Sequence, residues 1–409
     1  MMDDQPGSAR AARELGPLLV ALCRRDAGER LGDDALRVLD DEETRARFID
    51  YATVHGVLGL ALASLQRVGP HAGAAGAVFR ERLRGCRRRA AAMELGRDRV
   101  LAVLRVAGLQ PVALKGAALH TTVYREPAER DLGDIDLLLP RDQIDRAVAA
   151  LERQGFFVPG TEEAEAGYRE HHFHVRVQRP DGFIVELHWE LTRVIEPFHL
   201  DPAAYLAESV QVPGAPQLRI PRPELALLHI VTEMLRDGLD RLTRLVDVDR
   251  IVAATPAMDW KYLEAAARDA RLLPSLALAL EMSRDMLGTS VPDEVRRRIR
   301  PPVGVRFHLA LLRPAQSLLR QRSVTRPSWL TLLQLWLLSG ERRSAALARM
   351  FRGEDADPLD WLWRSIMTPD APATAPVRPV VRMGKLAVYQ LGLYARGVVG
   401  VPRSWSGVR

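Results

Sequence analysis

The run Asp134-Ile135-Asp136-Leu137-Leu138-Leu139, stopped by Pro140, constrains the fold more than any other stretch of the chain. An apolar run of this length ended by proline predicts a short buried strand over 135–139. Side chains at i and i+2 of a strand share a face. Asp134 and Asp136 therefore project together, while Ile135 points into the core. Two carboxylates held this close repel unless a cation sits between them. Hard oxygen donors suit Mg²⁺, which takes one or two protein carboxylates together with substrate phosphates. A pair of solvated acids at a strand end is the plainer reading of the same residues.

The neighbours of this strand sharpen the picture. Pro111–Leu114 is short and apolar and ends at Lys115-Gly116, after which Ala117–Arg125 has helical composition. A glycine between a strand and a helix lets phosphate approach the backbone, where the helix N-terminus offers N–H donors. Pro127–Gly133 reads as a loop. Arg141–Gln154 predicts an amphipathic helix with Ile144, Val148 and Leu151 on one face, closed by Gly155. Two strand-like runs follow, His171–Gln178 and Phe183–Leu191, joined by Pro180-Asp181-Gly182, a hairpin signal. In the second run Glu186, His188 and Glu190 share one face; Val185, Leu187, Trp189 and Leu191 form the other. An acid on such a strand is costly unless its face lines a polar cavity. A three-residue loop sets Arg179 opposite Phe183, Arg176 opposite Glu186, His174 opposite His188 and His172 opposite Glu190. A hairpin with one solvated side would share this pattern.

Long helical stretches flank this strand–helix–strand–helix–hairpin region. Leu15, Leu18, Leu19 and Leu22 recur at helical spacing, as do apolar residues through Ile49–Leu65. Gly69–Gly76 breaks the pattern, and a basic helical run spans Phe79 to Arg105. No internal repeat stands out. From Pro223 onward the chain is helical again, over Glu224–Leu235, Leu239–Ala254, Trp260–Arg271 and Ser275–Leu287. Proline-rich breaks fall at Pro301-Pro302 and Pro369–Pro379. The expected divisions are an N-terminal helical region over 1–105, a catalytic core over 106–205, a C-terminal helical domain over 206–368, and a linker with a basic tail over 369–409.

Charge and cysteine usage narrow the function classes. Only three of the 58 basic residues are lysines, Lys115, Lys261 and Lys385, a skew that fits a GC-rich coding sequence. The net charge of +6 is carried by Arg378, Arg382, Lys385, Arg396, Arg403 and Arg409 in a stretch without acids, which leaves residues 1–376 neutral. A neutral body argues against a nucleic-acid partner. The tail has apolar residues between its arginines and could touch an anionic membrane or an acidic partner. Gly384, Gly392, Gly397 and Gly400 weaken a continuous helix there, so the tail is expected to pack loosely or move and to play no catalytic part. Two distant cysteines, Cys23 and Cys86, exclude a disulfide framework or a cysteine-based zinc site and fit a reducing cytoplasm. The polar start is no signal peptide, and the apolar stretch Trp329–Leu338 is shorter than the ~20 residues a bilayer span needs.

Leu114-Lys115-Gly116, Tyr124-x-x-Pro127, Arg130, Asp134-Ile135-Asp136-Leu137-Leu138 and Glu186-Leu187-His188-Trp189 occur in this order. As a set they resemble the uncharacterised nucleotidyltransferase family of the DNA polymerase β-like superfamily. The resemblance covers about residues 45–255 and includes His55-Gly56-Val57. Ala117 stands where better studied branches carry serine, which removes a hydroxyl that could hold phosphate. The third acid is Glu186 rather than aspartate, a conservative change for a metal ligand.

The resemblance implies an α+β fold, a small mixed polymerase-β-like sheet between helical regions. It also implies Mg²⁺-dependent transfer of a nucleoside monophosphate from an NTP, with release of pyrophosphate. Asp134 and Asp136 would bind two Mg²⁺, with Glu186 completing the second site. Lys115 and Gly116 would hold phosphates, and Arg130 would neutralise the leaving pyrophosphate. Arg130 could equally be a surface arginine, and Lys115 could pair structurally with a nearby acid. His188 would contact the nucleotide or, as favoured here, frame the site beside Glu186. Alternation splits the His171–His174 cluster, so no dedicated transition-metal site is expected of it. Arg241, Arg244, Asp247, Asp249 and Arg250 lie on a helix expected to pack beside the sheet, most of them on a solvated face. His229 reads as a core-edge histidine. The acceptor is expected to be a discrete small molecule, peptide or carbohydrate. A catalytically silent fold used for binding or regulation, and an RNA or tRNA nucleotidyltransferase, are the alternatives. Oligomeric state is not legible.

Overall fold

Alternation along the central strands sorts the protein into two apolar cores. The computed structural model describes residues 6–31, 36–69, 73–159, 173–192, 198–236 and 241–300. The basic tail, Trp329–Leu338, the end of the expected C-terminal domain, His171 and His172 lie outside these residues. Among the described residues six strands form one mixed sheet: β1 (Val112–Ala113), β2 (Ile135–Leu138), β3 (His174–Gln178), β4 (Ile184–His188), β5 (Val210–Val212) and β6 (Ala215–Ile220). Their order is β3-β4-β2-β1-β6-β5. β2 runs parallel to β4 and β1 parallel to β6, while the β1–β2, β3–β4 and β5–β6 pairs are antiparallel. The fold is thus the expected α+β arrangement of helices around a mixed sheet.

One face of the sheet is apolar. Ile135 and Leu137, Val175 and Val177, and Val185 and Leu187 meet the helix Ile144–Glu152 and the last turns of the 34-residue helix Gly73–Val106. The alternate residues of the same strands face the other way, toward the site. Because the period is two, the sequence that builds this core also builds the polar face.

The second core joins elements far apart in sequence. Leu15–Leu22 of helix Pro6–Cys23 and the buried residues of Glu42–Val54 and Leu58–Val68 share it with helices Pro223–Arg236, Leu242–Ala254 and Leu273–Leu287. The N-terminal and C-terminal helical regions, expected on either side of the sheet, therefore share one core. The sheet also draws β5 and β6 from beyond residue 205.

Gly59 shows how closely the helices meet the loop that leads to the site. A Cβ on Gly59 would lie 1.8 Å from the backbone oxygen of Ala128. Ala128 belongs to the short turn Pro127–Glu129, which Arg67 also clasps through Glu129 at 2.7 Å. At an exposed helical site glycine-to-alanine stabilises by about 1 kcal/mol. Here Gly59→Ala is expected to destabilise by about 3 kcal/mol, because helix Leu58–Val68 must move off the turn. The urea midpoint would fall; a rise would show that the turn yields freely.

Candidate active site

The parallel register sets Asp136 of β2 beside Glu186 of β4. Across the hairpin, β3 pairs His174 with His188 and Arg176 with Glu186, the register that the loop arithmetic predicts. Arg179 and Phe183 close the turn through a 2.9 Å backbone bond. Asp136, Glu186, His188 and His174 consequently share the polar face, and Asp134 immediately precedes β2.

Asp136 is buried at the centre of this group. Its Oδ1 accepts a hydrogen bond from Lys115 Nζ at 2.9 Å and lies 2.9 Å from His188 Nε2. Lys115 follows β1 and adopts φ of +47°, a left-handed conformation that costs a non-glycine residue about 1 kcal/mol. From there its ammonium spans two acids, with Glu233 Oε2 3.4 Å away. Glu233 comes from helix Pro223–Arg236 and is also paired with Arg236 and with Arg244, the latter at 3.6 Å.

The charges divide unevenly. Burial opposes ionisation of Asp136, but Lys115 and His188 outweigh it and hold the carboxyl well below the usual range. Burial also disfavours the charged Lys115, yet Asp136, Glu233 and Glu186 raise its pKa. His188 is raised likewise: burial works against the imidazolium, and hydrogen bonds to Asp136 and Glu186 prevail. Asp134 has the opposite fate. Burial, then the charges of Asp136 and Glu186, push it up to about 6. A carboxylate crowded in this way is one that a bound cation would relieve, and the Lys115 ammonium already fills a cationic position between Asp136 and Glu233. The donor set fits a divalent ion.

Glu186 lies between two imidazoles. Its Oε2 is 3.5 Å from His188 Nε2 and its Oε1 is 3.7 Å from His174 Nε2. Phe173 packs edge-on to the His174 ring at 4.7 Å between centroids and tilts over His188 at 5.5 Å. Burial lowers His174 to about 3, so it is neutral at physiological pH.

Among the predicted site residues, Asp134, Asp136, Glu186, His188 and Lys115 gather here. Gly116 is buried, and a Cβ there would meet Leu132 at 2.4 Å, so its nearest neighbours are Leu132 and Arg130. Arg130 is engaged in a buried ion pair, with Nε 2.8 Å from Asp247 Oδ1 and Nη2 3.1 Å from Oδ2. Tyr124 donates to the same Asp247 at 2.6 Å, and Arg130 Nη1 donates to the Asp131 carbonyl. The expectation of a solvated charged face on helix Leu242–Ala254 needs correcting: Asp247, Asp249 and Arg250 are all buried. Each has fixed partners, because a charge in a core must be paired. Asp249 accepts from Thr289 at 2.7 Å, and Arg250 donates to the Cys23 carbonyl at 2.7 Å.

Sequence reasoning passed over Glu233. Its signal was an acid inside the apolar run Leu227 to Leu235, one turn after His229, whose Nε2 lies 3.9 Å away. His174 was placed opposite His188 on the polar face by the hairpin register, as it is found, but was not named among the site residues; its Nε2 lies 3.7 Å from Glu186.

Comparison with known proteins adds one finding. A family model described as uncharacterised nucleotidyltransferase matches residues 41–288. No match was found among curated proteins. The matched stretch is more than half of the 409 residues and holds the Lys-Gly turn, the Asp-Ile-Asp strand and the Glu-Leu-His strand in the order described. The chain belongs to the uncharacterised nucleotidyltransferase family.

Proposed function

We propose that the protein transfers a nucleoside monophosphate from an NTP to an oxygen of a small-molecule, peptide or carbohydrate acceptor, with Mg²⁺ and with release of pyrophosphate. The observation that carries this reading is the placing of Asp136 beside Glu186 on neighbouring parallel strands, with Asp134 at the head of the same strand. Asp134, Asp136 and Glu186 would hold the metal, which would supply charge neutralisation at the triphosphate and at the acceptor oxygen. Lys115 stays protonated and offers its ammonium to phosphate oxygens from the same side. His188 fixes the Asp136 and Glu186 carboxylates in a frame. Helix Pro223–Arg236 backs Lys115 with Glu233 and so sets the direction of the lysine.

The acceptor class rests on charge. On the basic helix Gly73–Val106, Arg87 is paired with Glu126, Arg88 with Glu81 and Arg89 with Asp131, so part of its charge is matched locally. A strand of RNA needs a continuous basic track instead. One observation favours a silent fold: Asp136 Oδ1 already has Lys115 and His188 at 2.9 Å each.

Thermal-shift screening of NTPs with Mg²⁺, followed by product mass with candidate acceptors, separates the readings. Active transfer predicts a rise in Tm that needs both NTP and Mg²⁺, reflecting about 2.7 kcal/mol of added stability at ligand a hundredfold above Kd. It further predicts an acceptor mass increased by one nucleoside monophosphate. Stabilisation by NTP without any product, over a broad acceptor panel, would favour the silent fold.

A further inference from the structure

We infer that His174, Glu186 and His188 form a binding site for one zinc-class divalent cation, preferred there over Mg²⁺. The inference deepens the transfer reading and rests on it for the place of the site. Among the described residues, one donor atom from each of these three lies within 4.8 Å of the others. His188 Nε2 lies 3.5 Å from Glu186 Oε2 and His174 Nε2 lies 3.7 Å from Glu186 Oε1, each near the ligand–ligand spacing of about 3.4 Å around a tetrahedral ion with bonds of about 2.1 Å, so the carboxylate reaches one imidazole with each oxygen. Asp134, by contrast, is outside this group.

The strands impose the arrangement. Glu186 and His188 are two apart on β4 and share a face, and the antiparallel register puts His174 directly across from His188. The imidazole centroids are 4.9 Å apart, and Phe173 packs against both rings, which limits their rotation. A site on two paired strands is stiffer than one on loops, so these donors converge with little reorganisation.

Donor chemistry selects the ion. Two imidazole nitrogens and one carboxylate suit zinc, whereas Mg²⁺ seeks oxygen and keeps its waters. The local field also favours a cation at this position. Lys115 is committed to Asp136 and Glu233, and Arg236 and Arg244 to Glu233. Glu186 faces His174 and His188, and a metal on these imidazoles would take the place of the proton that His188 Nε2 shares with Asp136. Asp134 and Asp136 then provide the oxygen-rich side of the cleft for Mg²⁺, with Glu186 shared between the two positions.

The test uses the full chain, stripped of metal, without nucleotide. Co²⁺ is titrated as the spectroscopic probe, with Zn²⁺ and Mg²⁺ as competitors. The expected result is one Co²⁺ per chain with the visible absorption of nitrogen ligation, displaced by stoichiometric Zn²⁺ and retained against about a hundredfold excess of Mg²⁺. His174→Gln should weaken Co²⁺ binding about a hundredfold while thermal unfolding shows an intact fold. His174→Asp supplies a carboxylate donor in place of the neutral imidazole and should regain part of the affinity while letting Mg²⁺ compete. Co²⁺ binding that His174→Gln leaves within twofold, or that equimolar Mg²⁺ displaces, overturns the site. A chain that binds Co²⁺ through His174 yet transfers no nucleotide supports the site and retires the transfer reading alone. Transfer with Mg²⁺ in a chain whose Co²⁺ affinity ignores His174 does the reverse.

Discussion

Asp136→Asn is expected to lose nucleotidyl transfer by more than about 10³-fold, and to lower stability by about 3 kcal/mol at neutral pH. Three decades correspond to about 4 kcal/mol of transition-state stabilisation, within what a metal-binding carboxylate supplies. The stability loss has a separate origin. Asp136 is buried and holds Lys115 and His188 at 2.9 Å each. Asparagine removes the first of the three carboxylate charges that hold that ammonium and leaves Glu233 and Glu186. The pH dependence gives the sign. The folded pKa of Asp136 lies below its unfolded value, so its contribution is present above the ordinary aspartate range and is lost as pH falls through the folded value. The gap between wild type and variant in urea unfolding should therefore be wide at pH 7 and narrow in acid. Equal midpoints at pH 7 would show that the ion pair contributes nothing.

Asp134→Asn should be equally inactive but more stable than wild type. Asp134 sits at about 6 because burial and the Asp136 and Glu186 charges oppose its ionisation. A carboxyl raised in the folded state favours folding while protonated, and that advantage disappears as pH rises from about 4 through about 6. Above that range the ionised group costs roughly 2–3 kcal/mol, which asparagine removes. Unfolding at pH 7 should thus move to higher urea for Asp134→Asn, with no gain at pH 3.5, about the unfolded value. Divalent cation should raise the Tm of wild type more than that of the variant, since wild type has the larger repulsion to relieve. Two neighbouring acids with the same loss of activity and opposite effects on stability would separate chemistry from folding. A variant less stable than wild type at pH 7 would contradict the crowding of these carboxylates.

The parts of the fold legible in the sequence are those written in local alternation. Asp136, Glu186 and His188 were readable because each breaks an apolar strand at period two, and because Pro180-Asp181-Gly182 fixes the register that brings His174 to His188. Helix Ile144–Glu152 was readable from Ile144, Val148 and Leu151, all of which it buries. Strands β5 and β6 were not foreseen, although Pro213-Gly214 marks their turn with φ of +80° at the glycine. β6 earns its place only by pairing with β1, about a hundred residues earlier, and no local pattern encodes that partner. The same reason hid Glu233 and misled the reading of Asp247 and Asp249. A charged residue on a helix looks solvated until a partner from elsewhere, Lys115, Arg130 or Thr289, is brought against it.

The core shared by the two ends of the described chain has a consequence for synthesis. The buried apolar residues described between Leu15 and Leu83 share one cluster with those described between Leu225 and Ile299. At about 5–20 residues per second, the later partners leave the ribosome on the order of ten seconds after the first helices. During that interval Leu15, Leu19, Leu22, Phe48 and Leu60, all buried in the finished protein, lack much of their cover. The nascent chain should bind a hydrophobic-recognition chaperone in that window and release it only once helix Leu273–Leu287 is made. A shortened chain ending before that helix would be a persistent client rather than a smaller folded protein.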